Sequence, residues 1–351
     1  MAGKMLNQLK KEIKIAGKTI GKGFPAYVIA EMACAHNGRF DDAKALIKAS
    51  ADAGADATQL QLFDMGHVVT PTNELFPILD RISFSADQWK ELTDYGRQLG
   101  IDVWACTYDV PSVELAVKLG VDGIKLNSAD LSNPEVVEAV AKSGIPFTLG
   151  TGASTLDEIR GGLETAVKHG AENIILMHGV QNFPTQIEDL NISKIQLLRE
   201  EFEIPVGYHD HVDGDNPFGK IVDLIAIGLG ANIIEKHIAL DRSKEGLDYQ
   251  AALEPEEFKL FVSNLKKAHT AYGSKEPKPF TDSELRYRKF QKKSIIAHKD
   301  LKAGDTLKRE DVFFSRNNDA GIPPTKFPEM EGKKLNRDIP QFENLKLEDV
   351  T

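Results

Sequence analysis

Between about residue 25 and residue 272 the chain alternates two textures of apolar and polar positions. Short, nearly continuous β-rich runs occur at AYVIAEMA (26–33), ATQLQLF (57–63), DVWACT (102–107), GIKLNS (123–128), PFTLGT (146–151), NIILMHG (173–179), PVGYHD (205–210) and ANIIEKH (231–237). Between them lie stretches with helical spacing of apolar residues: DDAKALIKASADAGA, SADQWKELTDYGRQLG, PSVELAVKLG, PEVVEAVAKSG, TLDEIRGGLETAVKHG, SKIQLLREEF and PFGKIVDLIAIGLG. Several of these end on a glycine suited to a helix C-terminus, among them Gly120 and Gly144. Strands without polar alternation, separated by amphipathic helices, indicate a parallel sheet covered on its faces. Eight such units in succession predict a closed (β/α)₈ barrel of the TIM type, in the α/β class, rather than an open doubly wound sheet.

A barrel of this kind collects its chemistry at the C-terminal ends of its strands. In strand order those ends carry Glu31, Gln59 with Gln61, Thr107, Lys125 with Asn127, Thr151, His178, His209 with His211, and Glu235 with His237. So many ionisable groups aimed at one rim predict an active site there.

After residue 272 the texture changes. Residues 273–290, GSKEPKPFTDSELRYRKF, are charged and carry two prolines, which predicts a linker between a barrel domain over 20–272 and a β-rich module over 291–351. That module has short apolar pieces broken by turns such as AGD and GIPP.

Composition narrows the function classes. The 351 residues are 41% hydrophobic and 27% charged, ordinary globular material with enough apolar content for one large core and one small one. A net charge of −10 argues against a general nucleic-acid or anionic-membrane surface, but leaves room for an anionic substrate held by local cations. Two cysteines, Cys34 and Cys106, form no disulfide framework and suit a reducing compartment. No apolar run approaches membrane-span length, and the first fifteen residues show no signal-peptide core. The expectation is a soluble, cytoplasmic protein.

The sharpest local signal is GYHDHVDGD (207–215) with IIEKHIALDR (233–242). His211 and His237 end adjacent strands, so two imidazoles can converge on one divalent metal. A lone histidine at either place would read as a hydrogen-bonded structural residue; the pair is what points to a metal. His209 shares the face of His211 by strand spacing and is a third candidate ligand or a substrate contact, whereas Asp210 faces the helical layer. Lys125, in GIKLNSAD, points into the rim, where three readings stand: an anion partner for phosphate or carboxylate, a Schiff-base lysine, or an ion pair with Glu31 or Glu235. TLGTGAST (148–155) supplies a Gly-rich strand-to-helix turn able to hold phosphate.

In this order, IAEMACAHNG, ADATQLQLF, GVDGIKLNSADLSNPEVVEAVAKSGIPFTLGTGAST, ILMHGVQNFPT, GYHDHV and ANIIEKHIALDR resemble the sialic acid synthase (N-acetylneuraminate synthase) family. The tail, with KDLKAGDTLKREDV and SRNNDAGIPP, looks like that family's C-terminal antifreeze-like (SAF, β-clip) domain. The resemblance implies a condensation of phosphoenolpyruvate with an open-chain amino or deoxy hexose. The products would be a 2-keto-3-deoxy (nonulosonate) sugar acid and phosphate, formed with Mn²⁺ or Mg²⁺. It assigns His211 and His237 to the metal and Glu31 to the reacting centre, Lys125 and Ser128 to phosphoenolpyruvate, and Thr151 with Gly152 to the phosphate cradle. Gln61 and Asp248 fall at the acceptor sugar, and Arg316 matches an arginine inserted by a partner's SAF domain, which implies a domain-swapped homodimer.

The chain also departs from the family's pattern. Gln59 stands for a usual lysine, Asp130 for glutamate, Gly150 for serine, Gln181 and Phe183 for asparagine and tyrosine, His209 and Ala251 for serines. One residue is inserted near Arg316. Most of these line the expected acceptor pocket or cradle, so altered acceptor specificity is the expectation. A related synthase using a different, even phosphorylated, aldose and a non-catalytic sugar-binding barrel are the alternatives.

Overall fold

All eight β-rich runs form strands in the computed structural model, which describes residues 6–274 and 276–351. An antiparallel hairpin, β1 (Glu12–Ile15) and β2 (Lys18–Gly21), precedes them. The barrel strands are then β3 (Tyr27–Glu31), β4 (Ala57–Leu62), β5 (Asp102–Thr107), β6 (Gly123–Leu126), β7 (Phe147–Gly150), β8 (Ile174–His178), β9 (Val206–Asp210) and β10 (Ile233–Ile238). They pair in parallel in sequence order, and β10 closes the ring by pairing with both β9 and β3; a two-residue strand, β11 (Ala252–Leu253), pairs outside β10. The architecture is a TIM barrel.

Helices follow the strands as the spacing demands. Those over Val110–Leu119 and Pro134–Ser143 stop at Gly120 and Gly144, both in the left-handed region that glycine enters without steric cost. The expected helix over 217–230 is cut down to a 3-10 turn at Pro217–Lys220 and a short helix at Asp223–Gly228. The loop after β9 packs closely against this segment: a Cβ on Gly219 would lie 2.7 Å from the Asp213 carbonyl.

Inward side chains divide the barrel's interior by height. The lower part is apolar, built from Tyr27, Ile29, Ala57, Trp104, Ile175, Met177 and Ile233. A Cβ on Gly123 would overlap the Trp104 indole, so the bulk of one strand requires the bareness of its neighbour. Ile13, Ile15 and Ile20 of the hairpin join this cluster and plug the barrel's lower end, each fully buried side chain contributing about 1.5–3 kcal/mol. The barrel domain therefore reaches back beyond the expected boundary at residue 20. Sequence reasoning overlooked the hairpin because its strands are only four residues long, carry charged or polar positions, and lack the continuous texture of the barrel strands.

The chain divides after Gly273. The stretch 273–290, expected to be a plain linker, contains most of a helix over Asp282–Gln291, started by a Thr281–Glu284 capping box and exposed along its length. The C-terminal unit itself pairs β12 (Ser294–Ala297) with β13 (Val312–Ser315) over a small core that includes Ile295, Leu307, Phe327, Met330 and Leu345.

Candidate active site

Above the apolar layer, the inward positions turn polar at one level. Register places Glu31 of β3 beside Gln59 of β4 and His237 of β10, Cys106 of β5 beside Lys125 of β6, and His209 of β9 beside Glu235 of β10. The result is a buried cluster at the cavity floor. Lys125 Nζ donates to Glu235 Oε1 at 2.5 Å and to Glu31 Oε2 at 3.4 Å. Gln59 Nε2 donates to Glu31, and to Glu235 Oε2 at 3.3 Å. The Ala33 N–H donates to Glu31 Oε1 at 2.6 Å. Of the three readings of Lys125, the ion pair is realised, and with both acids at once.

Two carboxylates against one ammonium leave the cluster one positive charge short. Gln59 adds hydrogen bonds but no charge. Burial, with Glu235 beside it, drives the Glu31 carboxyl upward against the pull of Lys125. Burial alone would lower Lys125, but the two acids outweigh it and hold the ammonium charged.

Over this floor opens a cavity of about 560 Å³, the size of a small-ligand site. At one corner the Gly152 N–H donates to Ser128 Oγ at 2.9 Å, and Gln181 Nε2 reaches Ser128 Oγ at 3.4 Å and His209 Nε2 at 3.5 Å. Gly150 is what the space demands here, since a Cβ would sit 2.6 Å from Ser128 Oγ.

Across the mouth, His211 and His237 present rings whose centroids are 5.4 Å apart. A shared ion about 2.0–2.1 Å from each ring nitrogen requires centroids roughly 5–6.5 Å apart. His211 Nδ1 lies 2.7 Å from the Val180 carbonyl, a contact made as an N–H donor, which leaves the Nε2 lone pair free. Burial brings both imidazoles down to about 3, so both are neutral and competent as ligands near pH 7. The pair fits a divalent metal. Among the described residues no three His, Cys, Asp or Glu side chains form a metal cage, so His209 does not complete one. Its ring lies 5.1 Å from that of His211, at the cavity wall beside Gln181. Phe183 covers the pair, its ring 4.0 Å from His211 and 5.9 Å from His237.

Glu31, Gln61, Lys125, Ser128, Gly152, Gln181, Phe183, His209, His211, His237 and Asp248 all line this one cavity. Four expected residues do not. Thr151 turns its hydroxyl to the Met177 carbonyl at 3.0 Å, because strand alternation aims it away from the mouth. Asp130 bonds Asn133 at 3.3 Å at the end of a 3-10 turn, outside the lining. Gln59 lies fully buried in the floor, below the open space. Arg316 is exposed just past β13 in the C-terminal unit. Two other histidines face elsewhere: His178, at the end of β8, meets the Leu190 carbonyl at 2.9 Å, and His36, in the loop after β3, stacks on Phe84 at 4.6 Å.

Sequence reasoning missed Tyr108. It lines the cavity, and its hydroxyl accepts from Gln61 Nε2 at 2.7 Å. Burial raises its pKa well above the usual value, so it stays a neutral donor. The signal lay in WACTYD, where it directly follows the Thr107 that marks the strand's end. Asp248, held at φ 62°, brings in a carboxyl that burial shifts upward.

Known proteins resemble the chain over most of its length. The model of the NeuB family matches residues 46–277. An uncharacterized protein of Methanocaldococcus jannaschii is 34% identical, with 87% of this chain and 89% of that protein covered. The N,N'-diacetyllegionaminic acid synthase of Legionella pneumophila is 31% identical, covering 93% of this chain and 95% of the synthase. Among solved structures, the N-acetylneuraminic acid (sialic acid) synthetase of Leptospira borgpetersenii, in complex with citrate, superposes with a TM-score of 0.73 at 29% identity. That match covers 80% of this chain and 97% of the other.

Proposed function

The chain belongs to the NeuB family and is by that membership a carbon–carbon bond-forming enzyme, and from this premise we propose that it joins phosphoenolpyruvate to an open-chain amino or deoxy hexose. The products are a nonulosonate-type 2-keto-3-deoxy acid and phosphate. The observation that carries the reading is that Lys125, the Ser128–Gly152–Gln181 corner and the two neutral imidazoles open into one cavity. His211 and His237 would hold Mn²⁺ or Mg²⁺, which when bound polarises an aldehyde oxygen and helps to orient water.

The residues then divide the work. Lys125 has a third N–H beyond its two acidic partners, and with Ser128 Oγ and the Gly152 N–H it holds the phosphate or carboxylate of phosphoenolpyruvate. C3 of the enol attacks the aldehyde carbon, whose oxygen takes up a proton to become the product hydroxyl, water adds at C2, and the tetrahedral intermediate releases phosphate by C–O cleavage. Glu31, with its raised pKa, takes the proton of that water. Asp248, Gln61 and Phe183 contact the acceptor. Among the described lining residues Lys125 is the one Lys or Arg, which favours an unphosphorylated aldose.

The test is phosphate release from phosphoenolpyruvate with Mn²⁺ across free hexoses, hexosamines and their phosphates, with the product identified by mass. Silence with every aldose would favour a sugar-binding barrel instead.

The C-terminal unit is read as an SAF domain whose Arg316 reaches the cavity of a partner subunit in a swapped homodimer. Support comes from the resemblance and from the exposed Asp282–Gln291 helix, which carries Leu285, Tyr287 and Phe290 uncovered. Mixing two dead variants decides it. Lys125→Met and Arg316→Ala chains, unfolded and refolded together in equal amounts, should regain about a quarter of wild-type turnover, since half the dimers carry one intact site. No recovery would mean that each chain supplies its own arginine, or none.

A further inference from the structure

Behind the two histidines, on the face of the sheet that meets the helices, lies a second buried ionic group that the proposed chemistry does not use. Asp210 immediately precedes His211, and Lys236 immediately precedes His237. Successive strand residues point to opposite faces, so the imidazoles go into the cavity and this pair goes behind it. Lys236 Nζ binds Asp210, donates to the Gly219 carbonyl at 2.8 Å and lies 3.9 Å from Asp223. Asp210 in turn accepts from the Tyr208 hydroxyl at 3.0 Å and from the Val212 N–H at 3.2 Å. Lys236, Asp210 and Asp223 are wholly excluded from solvent.

The position of this group in the ladder gives it meaning. Strands β9 and β10 pair at Ile234 with Tyr208, Glu235 with His209 and Lys236 with Asp210, and there the pairing ends. Between β9 and β10, His211 and His237 lie one residue beyond the last rung, so no rung joins them directly, although His237 itself pairs with Glu31 of β3 and Ala252 of β11. The Asp210–Lys236 bond is the last cross-strand link before the two histidines. Through the Val212 N–H, Asp210 also grips the residue on the far side of His211, and through Gly219 Lys236 ties down the loop that follows it.

We propose that Asp210 and Lys236, steadied by Tyr208, are positioning residues that hold the His211 and His237 imidazoles at the separation a divalent cation needs. A buried charge pair is weak evidence of stability, because desolvation offsets much of its attraction. A role in geometry accounts for a fully buried pair at this one rung. The inference rests on the metal reading above.

The test is Mn²⁺ binding, followed by the electron paramagnetic resonance of free Mn²⁺, together with thermal melting of the same samples. Asp210→Asn should weaken Mn²⁺ affinity about 10–100-fold, the range for groups that orient metal ligands. Tyr208→Phe keeps the ion pair but loses one anchor, and should weaken it by a smaller factor with melting close to wild type. Leu163→Ala, in the core away from β9 and β10, should lower the melting temperature and leave Mn²⁺ affinity unchanged. Wild-type affinity in Tyr208→Phe and in folded Asp210→Asn would overturn the inference; if Asp210→Asn does not fold, Tyr208→Phe decides alone. Failure of the wild-type protein to bind Mn²⁺ would overturn the metal reading, and this inference with it.

Discussion

Lys125→Met should reduce turnover by about 10²–10³-fold or more, the loss that follows removal of a single preorganised charge-stabilising donor. The same change should destabilise the barrel by about 3–5 kcal/mol, because Glu31 and Glu235 are left buried with no cation. The two effects can be separated. Lys125→Met combined with Glu235→Gln removes one charge of each sign, and should restore most of the melting temperature while turnover stays lost. If the double variant regains turnover along with stability, Lys125 serves only to neutralise the acids, and the anion-binding role falls. Phosphate release measured beside thermal melting gives both answers.

His237→Ala should weaken Mn²⁺ affinity by more than the 10–100-fold typical of outer partners, because it removes half of the chain's donor pair. No hydrogen bond from a described residue engages the His237 ring, so its loss breaks no internal contact of that kind and the fold should persist. The pH dependence follows from the same burial. With both imidazoles brought down to about 3, protons compete with metal only as the pH falls toward that value. Wild-type affinity should therefore stay flat from pH 8 to 5, where a pair of solvent-exposed histidines would lose metal near their ordinary pKa of about 6.5. Calorimetric titration of Mn²⁺ into both proteins checks this, and unchanged affinity in the variant would remove the site.

Much of the site was legible because it follows from strand ends. A residue such as Glu31 or His237, polar at the finish of an apolar run, has few places to go in a barrel except the mouth. The errors come from alternation at those same ends. Thr151 and Ser128 look equivalent in sequence, each a small hydroxyl at a strand's end. Yet Ser128 turns into the cavity and Thr151 turns to the Met177 carbonyl. His211 and His178 differ in the same way, the first lining the cavity and the second meeting the Leu190 carbonyl, and no local propensity separates them. Gln59 shows a subtler limit. Its inward direction was readable, but its depth below the cavity depends on how its strand is staggered against its neighbours.

From the sequence alone came the order of elements, the closed parallel barrel, the break near residue 273 and the crowding of chemistry at one rim. These rest on short-range pattern: the period of apolar residues fixes which face each element must bury, and eight strand–helix units can bury those faces together by closing a ring. Only the tertiary structure decided who stands beside whom. It set Lys125 between two acids, left His209 outside the His211–His237 ring pair, seated an N-terminal hairpin under the barrel and joined Asp210 to Lys236 behind the histidines. Such pairings depend on register between strands that lie 26 or more residues apart in the chain, a quantity that no local stretch of sequence carries.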